Sequence, residues 1–173
     1  MIAASLMVAP GLLATTFEWM SARAFLEQSD LIAVVDVASV HEVTTPDGFR
    51  LQSARARVLQ TVFRRFPDFP EQEKAPLVVY SLDPNAATAN DIPSGSGFHF
   101  PIQEGRAFVC LKMKGFNKFH PYTPLSFQRV DKSGTIRWPT ATVLRAGMQP
   151  YSPTPVAKVI RQLEQLQTEK QTP

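Results

Sequence analysis

Few residues of this chain could do chemistry: three histidines (His41, His99 and His120), a lone cysteine (Cys110) and a run of arginines between positions 50 and 65. A metal centre needs closely spaced ligands. No two histidines stand in H-x-H or H-x-x-x-H spacing, and Cys110 has no second thiol. Cys110 lies between Val109 and Leu111 in an apolar alternation, which reads as a small buried residue rather than a nucleophile. Ser94-Gly95-Ser96-Gly97 lacks the G-x-S-x-G spacing of a nucleophile elbow, and no Gly-Lys-Ser/Thr follows to make a phosphate loop. Asp83, Asp91 and Glu104 could offer oxygens to Ca²⁺, but carboxylates scattered over a loop read as solvated. His99, between Phe98 and Phe100, and His120 read as packed rings with one hydrogen bond each. This inventory predicts no catalytic residue, no metal and no cofactor.

Two groups of residues suit binding instead. Arg50, Arg55, Arg57, Arg64 and Arg65 fall within 16 positions that contain no acid. On a β-barrel, such a basic strand with aromatic neighbours (here Phe49, Phe63 and Phe66) is how single-stranded nucleic acid or another polyanion is held. The second group is aromatic: Phe98, Phe100, Phe116, Phe119 and Tyr122 lie in two loops, with His99 and His120 among them. Exposed together, they would form an apolar patch for a protein or glycan. Buried, they would plug one end of a barrel.

These side chains need a scaffold, and composition bounds it. The chain has 173 residues, about one domain's worth, of which 44% are hydrophobic and 19% charged. A single cysteine excludes an intramolecular disulfide framework. A net charge of +3 permits contact with polyanions without demanding it. The 15 prolines and scarcity of long helical patterns point to short strands joined by turns. Residues 1–16, MIAASLMVAPGLLATT, are uncharged and apolar, too short for a comfortable membrane span and similar to the core of a signal peptide. No basic residue precedes the run, and Pro10 and Gly11 interrupt it. Cleavage sites are available at Ala22-Arg23-Ala24 and after Ala14. The earlier is preferred because residues 21–29 look like part of the fold.

Along the chain, Ser21 can cap a short helix anchored by Phe25 and Leu26. Residues 31–43, LIAVVDVASVHEV, form the strongest strand, apolar on both faces at first and alternating later. In the alternating half Val37, Ser39 and His41 are expected on one side. The turn Thr45-Pro46-Asp47-Gly48 leads into a second strand over 49–63, making a long hairpin with Arg55 and Arg57 on one face and Ala54, Ala56 and Val58 on the other. Further strands are expected at 77–82 and 106–113, then a hairpin of 125–130 and 135–138 around the turn 131–134. Residues 83–101 and 115–124 read as loops, the first long enough to suggest binding or disorder. Val156, Val159, Ile160, Leu163 and Leu166 mark an amphipathic helix over about 155–170, with Ser152 or Thr154 as its cap.

This pattern suggests a mainly β domain over residues 17–173: a five- or six-stranded OB-like Greek-key barrel with a short N-terminal and a longer C-terminal helix. Three stretches, Glu27 to Val37, Ala54 to Leu59 and Gly105 to Leu111, resemble bacterial exported OB-fold domains of the netrin and TIMP class. The resemblance covers about residues 21–138. Inhibitory members of that class clamp a protease zinc with an N-terminal cysteine, and residues 15–30 here contain none. The leading expectation is a non-catalytic exported binding module, periplasmic or extracellular, whose partner is a protein or an envelope polymer. Its contact surface is expected at 83–101 and 114–124. The alternatives are a cytoplasmic binder of single-stranded nucleic acid using Arg50 to Arg65, and a protease-inhibitor-like domain by analogy of fold.

Overall fold

The computed structural model describes residues 20–44, 46, 48, 50–66, 76–82, 102–115, 118–123, 125–139 and 151–171. Helix α1 (Ala22–Gln28) starts where expected: Ser21 is extended and its hydroxyl accepts the Ala24 N–H at 3.1 Å. A helix of seven residues has little stability of its own, so its buried Ala22, Phe25 and Leu26 hold it. Strands β1 (Leu31–Thr44) and β2 (Arg50–Arg64) form the long antiparallel hairpin, with Gly48 at φ 84° in its turn. β3 (Leu77–Leu82) pairs antiparallel with β2, and β4 (Gly105–Gly115) with β1.

The strand that closes the barrel is one that residue pattern does not reveal. β5 (Lys118–Pro121) lies in the stretch expected to be loop, antiparallel to β4 and parallel to β3. The circuit is therefore β1-β2-β3-β5-β4 and back to β1, a closed five-stranded barrel of OB-like order. The expected hairpin of 125–130 and 135–138 divides instead. β6 (Phe127–Arg129) extends the sheet beside β4, and β7 (Thr135–Pro139) pairs with β8 (Tyr151–Pro155). β8 carries Pro153 and Pro155, which fits a strand paired in a two-stranded sheet, where an edge needs no N–H donor. α2 (Val156–Gln171) follows directly. Its first N–H donates to Gly134 O at 3.0 Å, and Thr154 donates to Ser152 O, so neither expected cap is used.

Two cores result. Leu31, Ala33, Val35, Val37, Ala54, Ala56, Leu77, Val79, Ala107, Val109, Leu111 and Phe119 point into the barrel. Ile32, Val34, Phe108 and Cys110 point out from β1 and β4, and the helices and Trp138 cover them. Trp138 stacks on Phe25 at 5.1 Å between ring centroids and meets Phe108 edge-on at 5.6 Å. β1 is thus buried on both faces over its first half, which is why Leu31 to Val35 are all apolar.

The entry to β1 is fixed by one carboxylate. Asp30 donates its N–H to Leu111 O (2.8 Å) and accepts the Arg65 N–H on its own carbonyl (2.9 Å). Its Oδ2 accepts the Met113 N–H (2.9 Å) and its Oδ1 faces Arg65 Nε (3.0 Å). The Arg65 guanidinium also donates to Ser29 O at 3.0 Å and to Glu27 O. Asp30 therefore joins the start of β1, the end of β2 and β4. Replacing Asp30 by Ala orphans the Met113 N–H and one side of Arg65. It should cost about 1.5–3 kcal/mol, seen as a lower urea midpoint with an unchanged slope.

A second carboxylate organises the turn into β7. Asp131 accepts from Ser133 Oγ (2.7 Å), Thr135 N (2.7 Å) and Thr135 Oγ1 (2.5 Å), and Gly134 supplies φ 76°. Hydrogen bonds to Thr135 and then Ser133 favour the ionised form and lower its pKa from 3.8 to about 2. A depressed carboxylate pKa adds stability above the unfolded value and loses it as pH falls through the folded one. The pH-linked part of the stability gap between wild type and Asp131→Ala should therefore be full at neutral pH, shrink as pH falls through 3.8 and be lost only as pH falls below about 2 in acid titrations.

Candidate binding face

The five arginines of the basic run do not form one patch. Arg50 and Arg64 sit at opposite ends of a 15-residue strand, about 45 Å of strand path at ~3.3 Å per residue. Arg50 is paired with Glu42 at 3.2 Å near the hairpin tip. Arg64 is half-buried across from Leu31, and Arg65 is taken up by Asp30 and the carbonyls of α1. Arg55 and Arg57 remain on the outer face, both exposed, with Arg57 facing Asp36 at 3.8 Å. Arg55 has no ion pair among the described residues.

The aromatic loop group is also broken up. Phe119 is only 2% exposed: it faces into the barrel from β5, opposite Val79 and Met113, and so cannot belong to an exposed patch. Tyr122 is half-buried against Phe25, and its hydroxyl lies 2.9 Å from Ser29 Oγ. Lys112 Nζ sits over its ring, 5.0 Å from the centroid. These two aromatics build the structure rather than a contact surface. Phe98, His99, Phe100 and Phe116 lie outside the described residues, as do Asp83 and Asp91. His120 is half-buried on β5 beside Pro121 O at 3.2 Å. Burial, and then the positive charges of Lys114 and Lys112, lower its pKa against the pull of the Pro121 carbonyl and Asp30.

What the fold does bring together is a row of outward side chains that sequence distance hides. Cross-strand partners share a face. Ser39, Arg55 and Val78 are aligned across β1, β2 and β3, and Lys118 of β5 pairs with Val78. The next row is His41, Ser53 and Tyr80. On the other side lie Arg57, Asp36 and Arg106. A bulge at Ala38 sets this register. It turns Val37 into the barrel and puts Ser39 and His41 outside, so Val37 does not share their face as alternation alone predicts. Tyr80 and Lys118 are the members residue pattern could not supply, because strand order alone places them beside Arg55.

The outer surface of the barrel therefore has two halves. Over β4, the first half of β1 and the end of β2 at Val62 and Phe63 it is covered by α1, α2 and Trp138. Over the distal half of β1 and over β2, β3 and β5 it presents Arg55, Arg57 and Lys118 exposed, His41 exposed, and Tyr80 and Val78 half-buried. Arg55 of β2 and Lys118 of β5 thus lie on either side of β3, which carries Val78 and Tyr80. Among the described residues no three of His, Cys, Asp and Glu gather as a metal site, and no helix is long and apolar enough to cross a membrane.

Cys110 is fully buried in the outer core, and desolvation pushes its thiol far above the ordinary range, only partly offset by a hydrogen bond with Ser29. Iodoacetamide should leave Cys110 unmodified in the native protein and alkylate it completely in denaturant, as read by intact mass. A scan against protein-family models and a search of curated proteins both find no match for this chain.

Proposed function

We propose that this domain is a non-catalytic binding module that holds an extended anionic polymer across the uncovered face of β1, β2, β3 and β5. The observation that carries this reading is the row of Arg55, Val78 and Lys118 beside Ser53 and Tyr80: two exposed cations flank an aromatic on neighbouring strands. Cations spaced along a strand face can track a charged backbone, and the half-exposed ring offers a stacking platform. The resemblance of residues 1–16 to a signal-peptide core supports export, and with it a polymer of the cell envelope as ligand. The resemblance to netrin and TIMP-like domains agrees with the OB-like strand order. It brings no protease inhibition, for want of the N-terminal cysteine.

Tyr80 supports a second reading, single-stranded nucleic acid, because a base stacks on a ring and a glycan sulfate or phosphate does not. Fluorescence anisotropy with labelled dT12 and labelled dextran sulfate separates the two. Arg55→Glu with Lys118→Glu should weaken both ligands at least tenfold, and losing two contacts should flatten the log K against log salt slope for dT12 by about 1.4. Tyr80→Ala should cost dT12 about 1–3 kcal/mol and dextran sulfate almost nothing if bases stack there. Wild-type protein that binds neither polymer, or double-variant protein that binds as tightly as wild type, would overturn the face.

A further inference from the structure

We infer that a second site, on the opposite side of the barrel's helical layer, receives an extended acidic peptide segment of a partner protein. A groove of about 630 Å³ runs between the β7–β8 hairpin and the first half of α2. Lys158, Arg161, Gln162 and Gln165 form one wall from a single helical stripe, and Ser152 and Pro153 help form the other. Among the described residues no carboxylate lines the groove. Lys158 and Arg161 are exposed and have no ion pair among the described residues. Two like charges one helical turn apart repel, and a bound anion would relieve that repulsion.

The floor fixes the polarity of the wall. The buried indole of Trp138 can only donate, and its Nε1–H goes to Gln162 Oε1 at 3.0 Å. The Gln162 amide is therefore oriented, with its NH₂ as the free end. That end adds two donors to the ammonium of Lys158 and the fork of Arg161. The segment 140–150 that joins β7 to β8 carries Arg145 and no acid. From Lys158 to Gln165 the stripe spans about 10 Å, the length of about three residues of extended chain. The amides of Gln162 and Gln165 can pair with peptide groups, which a chain of phosphates lacks, while the two cations meet acidic side chains.

The test uses the full chain and a fluorescein-labelled hexapeptide of Glu and Asp, with its Gln and Asn counterpart as control. Saturable, salt-sensitive binding at or below about 1 mM is expected for the acidic peptide alone. Lys158→Glu with Arg161→Glu, both at exposed positions, should weaken it at least tenfold. Arg55→Glu with Lys118→Glu changes net charge equally and should leave it within twofold, so failure here and failure of the polymer face are read separately. Absence of saturable binding, equal loss in both double variants, or displacement by tripolyphosphate as tight as by the unlabelled peptide would overturn the assignment.

Discussion

Burial of β1 on both faces is the constraint from which the rest of this structure follows. Its inward residues close a barrel with β2 and β4, and its outward residues, Ile32 and Val34, must be covered from outside. Leaving such side chains in water would forfeit about 1.5–3 kcal/mol each. α1, α2 and Trp138 supply that cover. The terminal helices are thus a second layer required by the first strand, not appendages. The Asp30–Arg65 junction sets where the strand enters this double layer, by tying its first residue to both of its neighbours.

The same strand explains why a surface is left over. After Val35 the outward residues become Asp36, Ser39 and His41, and the helical cover stops. Three register shifts, at Ala38 in β1 and around Leu59 and Val62 in β2, bend the hairpin away from the covered half. The open half carries exposed cations around the half-buried Val78 and Tyr80. The covered half carries an inert thiol, Cys110: nothing reaches it.

Much of this was legible in residue pattern, and the misses share a cause. The apolar run of β1, the turn at Pro46 and Gly48, the Ser21 cap and the period of α2 are local signals, and each element stands within a residue or two of where its pattern puts it. β5 has only four residues, too few for a pattern of their own, and is held as a strand by antiparallel pairing with β4 and by a parallel partner, β3, some 40 positions earlier. β8 contains two prolines and reads as a loop. Bulges leave no mark in composition, so the side taken by Val37 could not be read. An arginine run that is compact in sequence reads as one patch, but a strand draws it out from tip to base. Arg65 and Tyr122 looked like surface residues because their partners, Asp30 and Ser29, lie 35 and 93 positions away, and only the closed barrel brings them together.

The barrel's outer surface divides into a half covered by the helices and an open half proposed as the binding face. Backbone amide NMR of the full chain titrated with dextran sulfate tests it most directly. Shifts are expected to concentrate at outward positions of the open half, Ser53, Arg55, Arg57, Val78, Tyr80 and Lys118, with Ile32, Val34, Phe108 and Cys110 unmoved. Shifts confined to the helical layer, or spread evenly over every exposed cation, would contradict it.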